Sequence, residues 1–334
     1  MNTKTSIEGT ILDPSLKLRP VKWSDLKAVA QLIYDVCAAD GDAVVAVTPE
    51  ELKHEWETPG FDLERDAFLV ETNDGRLVGY EEFFNEHEHA RLRTDGYVHP
   101  DFKGGGIGTA LLRRVEQRAR EELELADPDV RVSLRSTTDQ RDAVGLDLHK
   151  NEGYQPLRYH WRMEIVLEGP PLEPKLPDGI ELRPFIKGEH DIPVWQAQNE
   201  AFRDHWGSHD ATLEEWKRSR FADPEFDPTL WQIAWDAPSG EVAGFSLNRY
   251  RMGIGWIRTL GVRRPWRKRG LGEALLLHSF GEFYKRGTKT IGLGVDAQNP
   301  TGATRLYQKV GMLAASEYVT YEKELRPGHH VDEE

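Results

Sequence analysis

The chain has little of what would place it outside the cell or within a membrane. Its 334 residues include one cysteine, Cys37, so no internal disulfide can form and no zinc site can be built from several thiolates. Cys37 reads as a small core residue, and a reducing, cytoplasmic location is the expectation. No stretch approaches the ~20 apolar residues of a membrane-spanning helix. The segment from Met1 to Leu18 lacks the apolar core of a secretory signal. Basic charge is in deficit, 43 Lys and Arg against 57 Asp and Glu, for a net charge of −14. That balance argues against nonspecific binding to nucleic acid or to an anionic membrane. Two phosphate signatures are also missing: no Gly-x-Gly-x-x-Gly sits in a parallel βαβ unit, and no glycine-rich loop ends in Gly-Lys-Ser/Thr. The alternation Asn85-Glu86-His87-Glu88-His89 lacks the His-Glu-x-x-His spacing of a helical zinc site and reads as a solvated turn, so no metal is expected.

What is present is a repeat. Leu18-Arg19-Pro20 recurs as Leu182-Arg183-Pro184, at an offset of 164 residues. The same offset relates Lys103-Gly104-Gly105-Gly106-Ile107-Gly108 to Arg267-Lys268-Arg269-Gly270-Leu271-Gly272. A third match, Leu148-His149-Lys150-Asn151-Glu152-Gly153-Tyr154 against Leu306-Tyr307-Gln308-Lys309-Val310-Gly311-Met312, lies at an offset of 158. One fold is used twice. Prolines from Pro170 to Pro177 mark the boundary, since they continue neither a sheet ladder nor a helix interior. The expected domains are 1–170 and 171–334.

Each copy carries the same pattern of elements. An amphipathic helix with Leu26, Val29, Leu32 and Ile33 follows the first Leu-Arg-Pro strand; its counterpart spans 194–202. A three-stranded meander comes next, over 67–71, 76–84 and 90–98 in the first copy and 231–235, 242–249 and 254–262 in the second. A helix opens at each glycine-rich loop. A strand, a short helix and a last strand, at 160–166 or 317–324, complete each copy. The fold class is α/β: two tandem domains, each a mostly antiparallel mixed sheet flanked by helices.

The second glycine-rich loop has the makings of an anion site. Five of the seven residues from Arg263 to Arg269 are basic in an otherwise acidic chain. The glycines allow close approach of main chain to a phosphate, and the first helical turn offers unpaired N–H groups and the positive end of the macrodipole. Beyond it, Asn299-Pro300 can start a short helix that carries Tyr307 and that Gly311 can cap.

Both loops resemble the acyl-CoA pyrophosphate motif of the GNAT superfamily of N-acyltransferases, a basic residue or glutamine, two variable residues, Gly, one variable residue, and Gly or Ala. The resemblance covers nearly the whole chain, twice. The tandem arrangement, with Phe202-Arg203-Asp204-His205-Trp206, is similar to the two-domain family typified by mycothiol synthase. The likeness implies that acetyl-CoA is the co-substrate, that Leu260 and Val262 offer backbone groups to its pantetheine arm, and that Arg267, Lys268, Arg269, Gly270, Leu271 and Gly272, with Asn299 nearby, hold its pyrophosphate. In the first copy Val98, Lys103, Gly104, Gly105, Gly106 and Gly108 occupy the matching positions. It further implies that Tyr307 protonates or hydrogen-bonds the departing thiolate, and that a backbone N–H near Val262, at a bulge, polarises the thioester carbonyl.

The first copy departs from this pattern, with His149 for Tyr307, Arg141 for Asn299 and Gly145 for Ala303. The C-terminal copy is therefore expected to be catalytic and the N-terminal one degenerate. A general base is not evident, because Gly253 to Leu260 contains no carboxylate. Water, Asp204 or His205 is left to remove the proton. Tryptophans from Trp206 to Trp231 either line the acceptor pocket or fill the core. The expected activity is acetyl transfer to a small amine by direct attack in a ternary complex, with no nucleic-acid or membrane partner. The alternative is a noncatalytic acyl-CoA-binding sensor or assembly module.

Overall fold

The computed structural model describes residues 6–7, 10–206, 208, 210–299 and 301–330. Among these, no helix is long and apolar enough to cross a membrane. Two compact units emerge: residues up to Tyr159 together with those from Glu317 onward, and His160–Ser316.

The first unit opens with a small hairpin, β1 (Ser6–Ile7) and β2 (Thr10–Ile11), followed by β3 (Leu16–Pro20). Then come α1 (Leu26–Ala39), α2 (Pro49–Trp56), α3 (Leu63–Asp66), β4 (Ala67–Thr72), β5 (Leu77–His87), β6 (Arg91–Val98), α4 (Ile107–Glu121), β7 (Val132–Asp139) and α5 (Ala143–Asn151). Helix α1 buries the stripe of Val29, Leu32, Ile33, Val36 and Cys37, the period-3.6 face expected from its sequence. A capping box of Thr48 and Glu51, with Pro49 in the first turn, starts α2. Strands β3 to β6 pair antiparallel in chain order. β6 and β7 run parallel, from Arg91 opposite Ser133 to Thr94 opposite Ser136. Helix α4 packs so closely on β5 that a Cβ at Gly79 would come within 2.6 Å of Ile107 Cγ2.

The second unit repeats the plan. Its elements are β8 (Gln155–Val166, contributing from His160), β9 (Ile180–Pro184), α6 (Asp191–Phe202), α7 (Leu213–Phe221), β10 (Trp231–Asp236), β11 (Glu241–Arg251), β12 (Ile254–Val262), α8 (Leu271–Lys285), β13 (Thr290–Asp296) and α9 (Ala303–Lys309). Strands β9 to β12 are antiparallel neighbours, and β12 meets β13 in parallel. The final strand, β14 (Leu313–Arg326), starts here and ends in the first unit.

The closing strands depart from the expected division at 170/171. His160–Val166 of β8 pairs antiparallel with β13 and so completes the second sheet. Tyr318–Arg326 of β14 pairs with β7 and completes the first. The division at 170/171 follows the repeat, whereas the compact units exchange their last strands. Alternation within a strand states which face is buried, and says nothing of which sheet edge the strand joins.

Aromatics fill the core under α6 and α7. Trp216, Trp231 and Trp235 are buried with Phe185, Phe245 and partly buried Phe221 and Phe226. Of the two roles open to the tryptophans from Trp206 to Trp231, packing is the one the structure gives Trp216 and Trp231, whereas Trp206 is 38% exposed. Residues 168–178, which include the proline-rich stretch, form no helix or strand.

Candidate active site

The parallel pair β12–β13 is short. Its register runs only through Gly255 opposite Ile291 and Trp256 opposite Gly292. Beyond that point the strands part, and the rest of β12 and β13 line opposite walls of a cleft of about 700 Å³. Thr259 to Val262 stand on one wall and Leu293 to Asp296 on the other. Splayed strands leave ladder N–H and C=O groups that an extended ligand can pair with.

The bulge in β12 lies at Arg258, because Leu247 pairs with Thr259 while Asn248 pairs with Ile257. The expectation had placed it near Val262. The shift sets the disruption in mid-strand, leaving Thr259 to Val262 in register with β11 up to the loop.

At the end of β12 the chain turns through Arg264–Trp266 and enters α8 from Gly270, which is left-handed at φ 84°. Left-handed backbone is open to glycine without a Cβ clash. Lys268 also adopts positive φ, at 62°, and the equivalent residue in the first unit is Gly104 at 82°. The 15-residue helix α8 aims its N-terminus at the cleft, with Gly270, Leu271 and Gly272 in the lining. A Cβ on Gly272 would meet Leu306 Cδ2 at 3.3 Å and Val262 Cγ2 at 3.7 Å. Space for a side chain is thus tight where loop, strand and α9 converge.

The loop cations divide into two groups. Arg263 donates to Glu200 at 2.7 Å and Arg264 forms a two-pronged pair with Asp204. Arg267 donates to the carbonyls of Val262 (3.0 Å) and Ala201 (2.9 Å), and approaches Asp204 at 3.4 Å. These three fasten the loop to α6 and the adjoining turn. Among the described residues no ion pair engages Lys268 or Arg269, and both are exposed. Lys268 lines the cleft; Arg269, expected there too, does not.

Tyr307 lies on the cleft wall, 8% exposed, with its hydroxyl pushed up to about 12 by burial. Helix α9 ends in paired C-terminal bonds: Met312 N–H donates to the Tyr307 carbonyl and Gly311 N–H to that of Gln308, both at 3.0 Å. With Gly311 left-handed at φ 95° this is a Schellman motif, as its spacing predicts. The other end of α9 differs from expectation. Its N-cap is Gly302, and Asn299 closes a turn just before it, accepting from Thr301 N–H (2.8 Å) and Oγ1–H (2.6 Å). Pro300 lies outside the described residues. An Asn side chain that bonds two residues ahead competes with helix and favours a turn.

Asp204 and His205 both reach the cleft from the end of α6, but their electrostatics differ. Hydrogen bonding to Arg264, reinforced by Arg267, holds the Asp204 carboxyl below the usual carboxylate range. Burial first, and then the Arg267 charge, lower His205 from its ordinary value, so the ring is neutral at pH 7. A neutral imidazole accepts a proton more readily than an arginine-bound carboxylate.

The first unit preserves the loop geometry with different occupants. Gly106 starts α4 at φ 80°, and a Cβ on Gly108 would meet Leu148 Cδ2 at 3.0 Å and Val98 Cγ2 at 3.6 Å, the counterparts of Leu306 and Val262. Lys103, however, is held by Asp40 (3.0 Å) and Asp142 (3.1 Å). Although burial opposes it, those bonds raise the lysine above its ordinary value. Gly104 and Gly105 supply no side chain beside it. His149, at the Tyr307 position, is buried, donates from Nδ1 to the Gly145 carbonyl at 2.7 Å, and stacks on Tyr321. Arg141, opposite Asn299 in the repeat, pairs with Asp139. No bulge interrupts β6 at Thr94, where the second unit has Arg258.

Two sheets of this form, with a helix N-terminus at the mouth of a strand-splayed cleft, define an acyl-CoA-dependent acyltransferase. The family model for the acetyltransferase (GNAT) family matches residues 34–137 and again 192–312. The chain belongs to that family, whose members take the acetyl group from acetyl-CoA. It is 32% identical over 266 residues to a mycothiol acetyltransferase of Salinispora arenicola, covering 76% of this chain and 80% of that one. A mycothiol acetyltransferase of Kytococcus sedentarius is 30% identical over 305 residues, 89% of this chain and 93% of its own. Among solved structures, a GCN5-related N-acetyltransferase from Sphaerobacter thermophilus superposes with a TM-score of 0.82 at 37% identity, covering 96% of this chain and 99% of that one. A tandem GNAT protein of the clavulanic acid biosynthesis pathway shares the fold, with a TM-score of 0.71 at 16% identity over 94% of this chain and 100% of that one.

Sequence reasoning missed Arg258 and its partner Asp223, joined at 2.5 Å. The signal was available: Arg258 is the one charged residue between Gly253 and Leu260.

Proposed function

We propose that the second unit is the working half, acetylating a small amine by direct attack within a ternary complex, and that the first unit is a degenerate copy. The observation that carries this reading is the convergence in one cleft of the α8 N-terminus, the splayed β12 and β13 edges, and Tyr307. The loop suits a pyrophosphate in its backbone, with Gly270 left-handed and Gly272 closely approached by Leu306 and Val262. Lys268 adds an exposed cation that no ion pair engages among the described residues. In the first unit Asp40 and Asp142 already occupy Lys103, which supports a loop that takes no coenzyme.

Acetyl-CoA supplies the activated acyl group, and the chain's residues position and manage protons. Tyr307 stays protonated throughout the neutral range and donates to the departing thiolate. His205, neutral at pH 7, removes the amine proton, while Asp204 anchors the loop through Arg264. Neither cysteine nor serine is among the described residues that line the cleft, which favours direct attack over a covalent relay. A noncatalytic acyl-CoA module fits the missing strand carboxylate equally well. Tyr307→Phe separates the two: the enzyme loses roughly 10²-fold in kcat with little change in acetyl-CoA affinity, and unaltered turnover, or no turnover in the parent chain, refutes the role.

A further inference from the structure

The Arg267 side chain ties the glycine-rich loop to the helix end that carries Asp204 and His205. Its Nε donates to the Val262 carbonyl at the end of β12 at 3.0 Å, and its Nη2 to the Ala201 carbonyl in the last turn of α6 at 2.9 Å. Nη1 approaches Asp204 Oδ2 at 3.4 Å. A helix supplies no donor of its own to the carbonyls of its last turn, and a cation placed there also meets the negative end of the macrodipole. Just beyond, the chain tightens: His205 N–H donates to the Phe202 carbonyl at 2.8 Å, and the two rings lie 4.5 Å apart. The arginine is felt at the His205 ring. Burial and then the Arg267 charge lower it, against the charges of Asp296 from β13 and Asp204 from its own turn.

The first unit makes the same tie with a different residue. Lys103, the counterpart of Arg267 in the repeat, bonds Asp40 at 3.0 Å, and Asp40 is the C-cap of α1, the counterpart of α6. Its second bond, to Asp142 at the N-cap of α5, has no equivalent at Arg267. Recurrence of the tie in both copies points to a task other than holding phosphate. A guanidinium recognises phosphate by presenting its fork of N–H groups, and all three nitrogens of Arg267 already face protein oxygens.

We propose that Arg267 is a positioning residue: it couples the coenzyme loop to the end of α6, so that coenzyme binding fixes the Asp204–His205 turn against β12, while the loop's main chain and Lys268 hold the pyrophosphate. The coupling runs through one side chain. A pyrophosphate that fixes the main chain from Arg267 to Gly272 fixes the guanidinium with it, and so the α6 carbonyl that the guanidinium holds. This inference rests on the proposed placement of acetyl-CoA at the α8 end and adds how the far side of the cleft is completed.

The test is hydrogen–deuterium exchange by mass spectrometry on the full chain, with and without saturating CoA, alongside calorimetric titration of CoA. In the parent chain CoA should slow exchange in residues 267–272 and, by about fivefold or more, in residues 199–206. In Arg267→Gln the loop should still be protected, residues 199–206 should no longer respond to CoA, and affinity should change by less than about threefold. Arg267→Lys keeps the charge but lacks the Nε donor that reaches Val262, and should behave as Arg267→Gln does. Affinity weakened about tenfold or more in Arg267→Gln and restored in Arg267→Lys would make the side chain a phosphate ligand and overturn the proposal. Residues 199–206 indifferent to CoA in the parent chain, or still protected by CoA in both variants, would overturn it too, the latter leaving Arg267 a purely structural role. A parent chain that binds no CoA would instead refute the underlying placement, and the coupling with it.

Discussion

Asp204 and Arg264 form a two-pronged ion pair, with Arg264 Nε donating to Asp204 Oδ2 at 3.1 Å and Nη2 donating to Oδ1. An aspartate so engaged holds its proton weakly, and Arg267 beside it deepens the effect. Asp204→Asn should therefore keep the acid limb of the kcat/KM profile and move it to lower pH, because the Asp204 charge raises the neighbouring His205 ring. Its consequence is a looser loop, read as altered acetyl-CoA KM. A pH–rate profile checks both, and loss of the acid limb in this variant would make Asp204 the base after all.

His205 carries the opposite expectation. Its folded value lies below the ordinary 6.5, so activity falls only when pH drops beneath that value and the ring takes up a proton. His205→Gln should lower kcat/KM by roughly 10²-fold and flatten the acid limb. Arg267→Gln removes a positive charge near the ring and should move the limb to higher pH. A limb unchanged in His205→Gln would exclude the imidazole.

Tyr307, pushed up to about 12 by burial, predicts the alkaline side. Its proton is retained well beyond neutrality, so no activity loss below about pH 10 should trace to this phenol. Comparing Tyr307→Phe with the parent chain across the alkaline range checks this. A parental decline near pH 8 that the variant lacks would contradict the burial argument.

The first unit has its own pH signature. Glu81 and Glu82 lie buried side by side in β5, Glu81 accepting from Thr94 at 2.9 Å and Glu82 from Tyr80 at 2.5 Å. Burial, aided at Glu82 by the charge of Glu55, raises both from 4.5 to about 8. The folded state then binds protons that the unfolded chain has lost. The stabilisation is complete below 4.5 and is lost as pH rises through about 8. Melting temperature should accordingly fall by several degrees across this window, and Glu81→Gln or Glu82→Gln should flatten the fall. A melting curve indifferent to pH in the parent chain would refute it.

What was legible in the sequence was whatever is local and periodic. The glycines at 106, 270 and 311 carry their own backbone requirement, and the helix faces of α1, α4 and α8 carry their periodicity, so these loops and helices were placed from the chain alone, whereas α2, α3 and α7 were not anticipated. Tyr307 was singled out by the resemblance to the GNAT family, and spacing alone marked only Gly311 as the cap of its helix. The strand exchange was invisible, because the alternation in 160–166 and 317–324 is indifferent to which edge it meets. So were the partners of the cations: Arg264 and Arg267 read only as part of a basic run, and Asp204, about sixty residues earlier, pairs with both. Lys103 likewise looked available until Asp40 and Asp142 closed on it. Charge pairing over such separations is a product of topology, which spacing does not encode.

The division of labour between the copies is tested most directly at the two equivalent left-handed positions, Lys268 and Gly104. Aspartate tolerates that backbone region better than most side chains, so Lys268→Asp and Gly104→Asp each place a negative charge in one loop with limited strain. Calorimetric titration of acetyl-CoA should give one site per chain, weakened about tenfold or more by Lys268→Asp and unchanged in affinity and stoichiometry by Gly104→Asp. Two sites per chain, or binding lost with Gly104→Asp and kept with Lys268→Asp, would contradict the account.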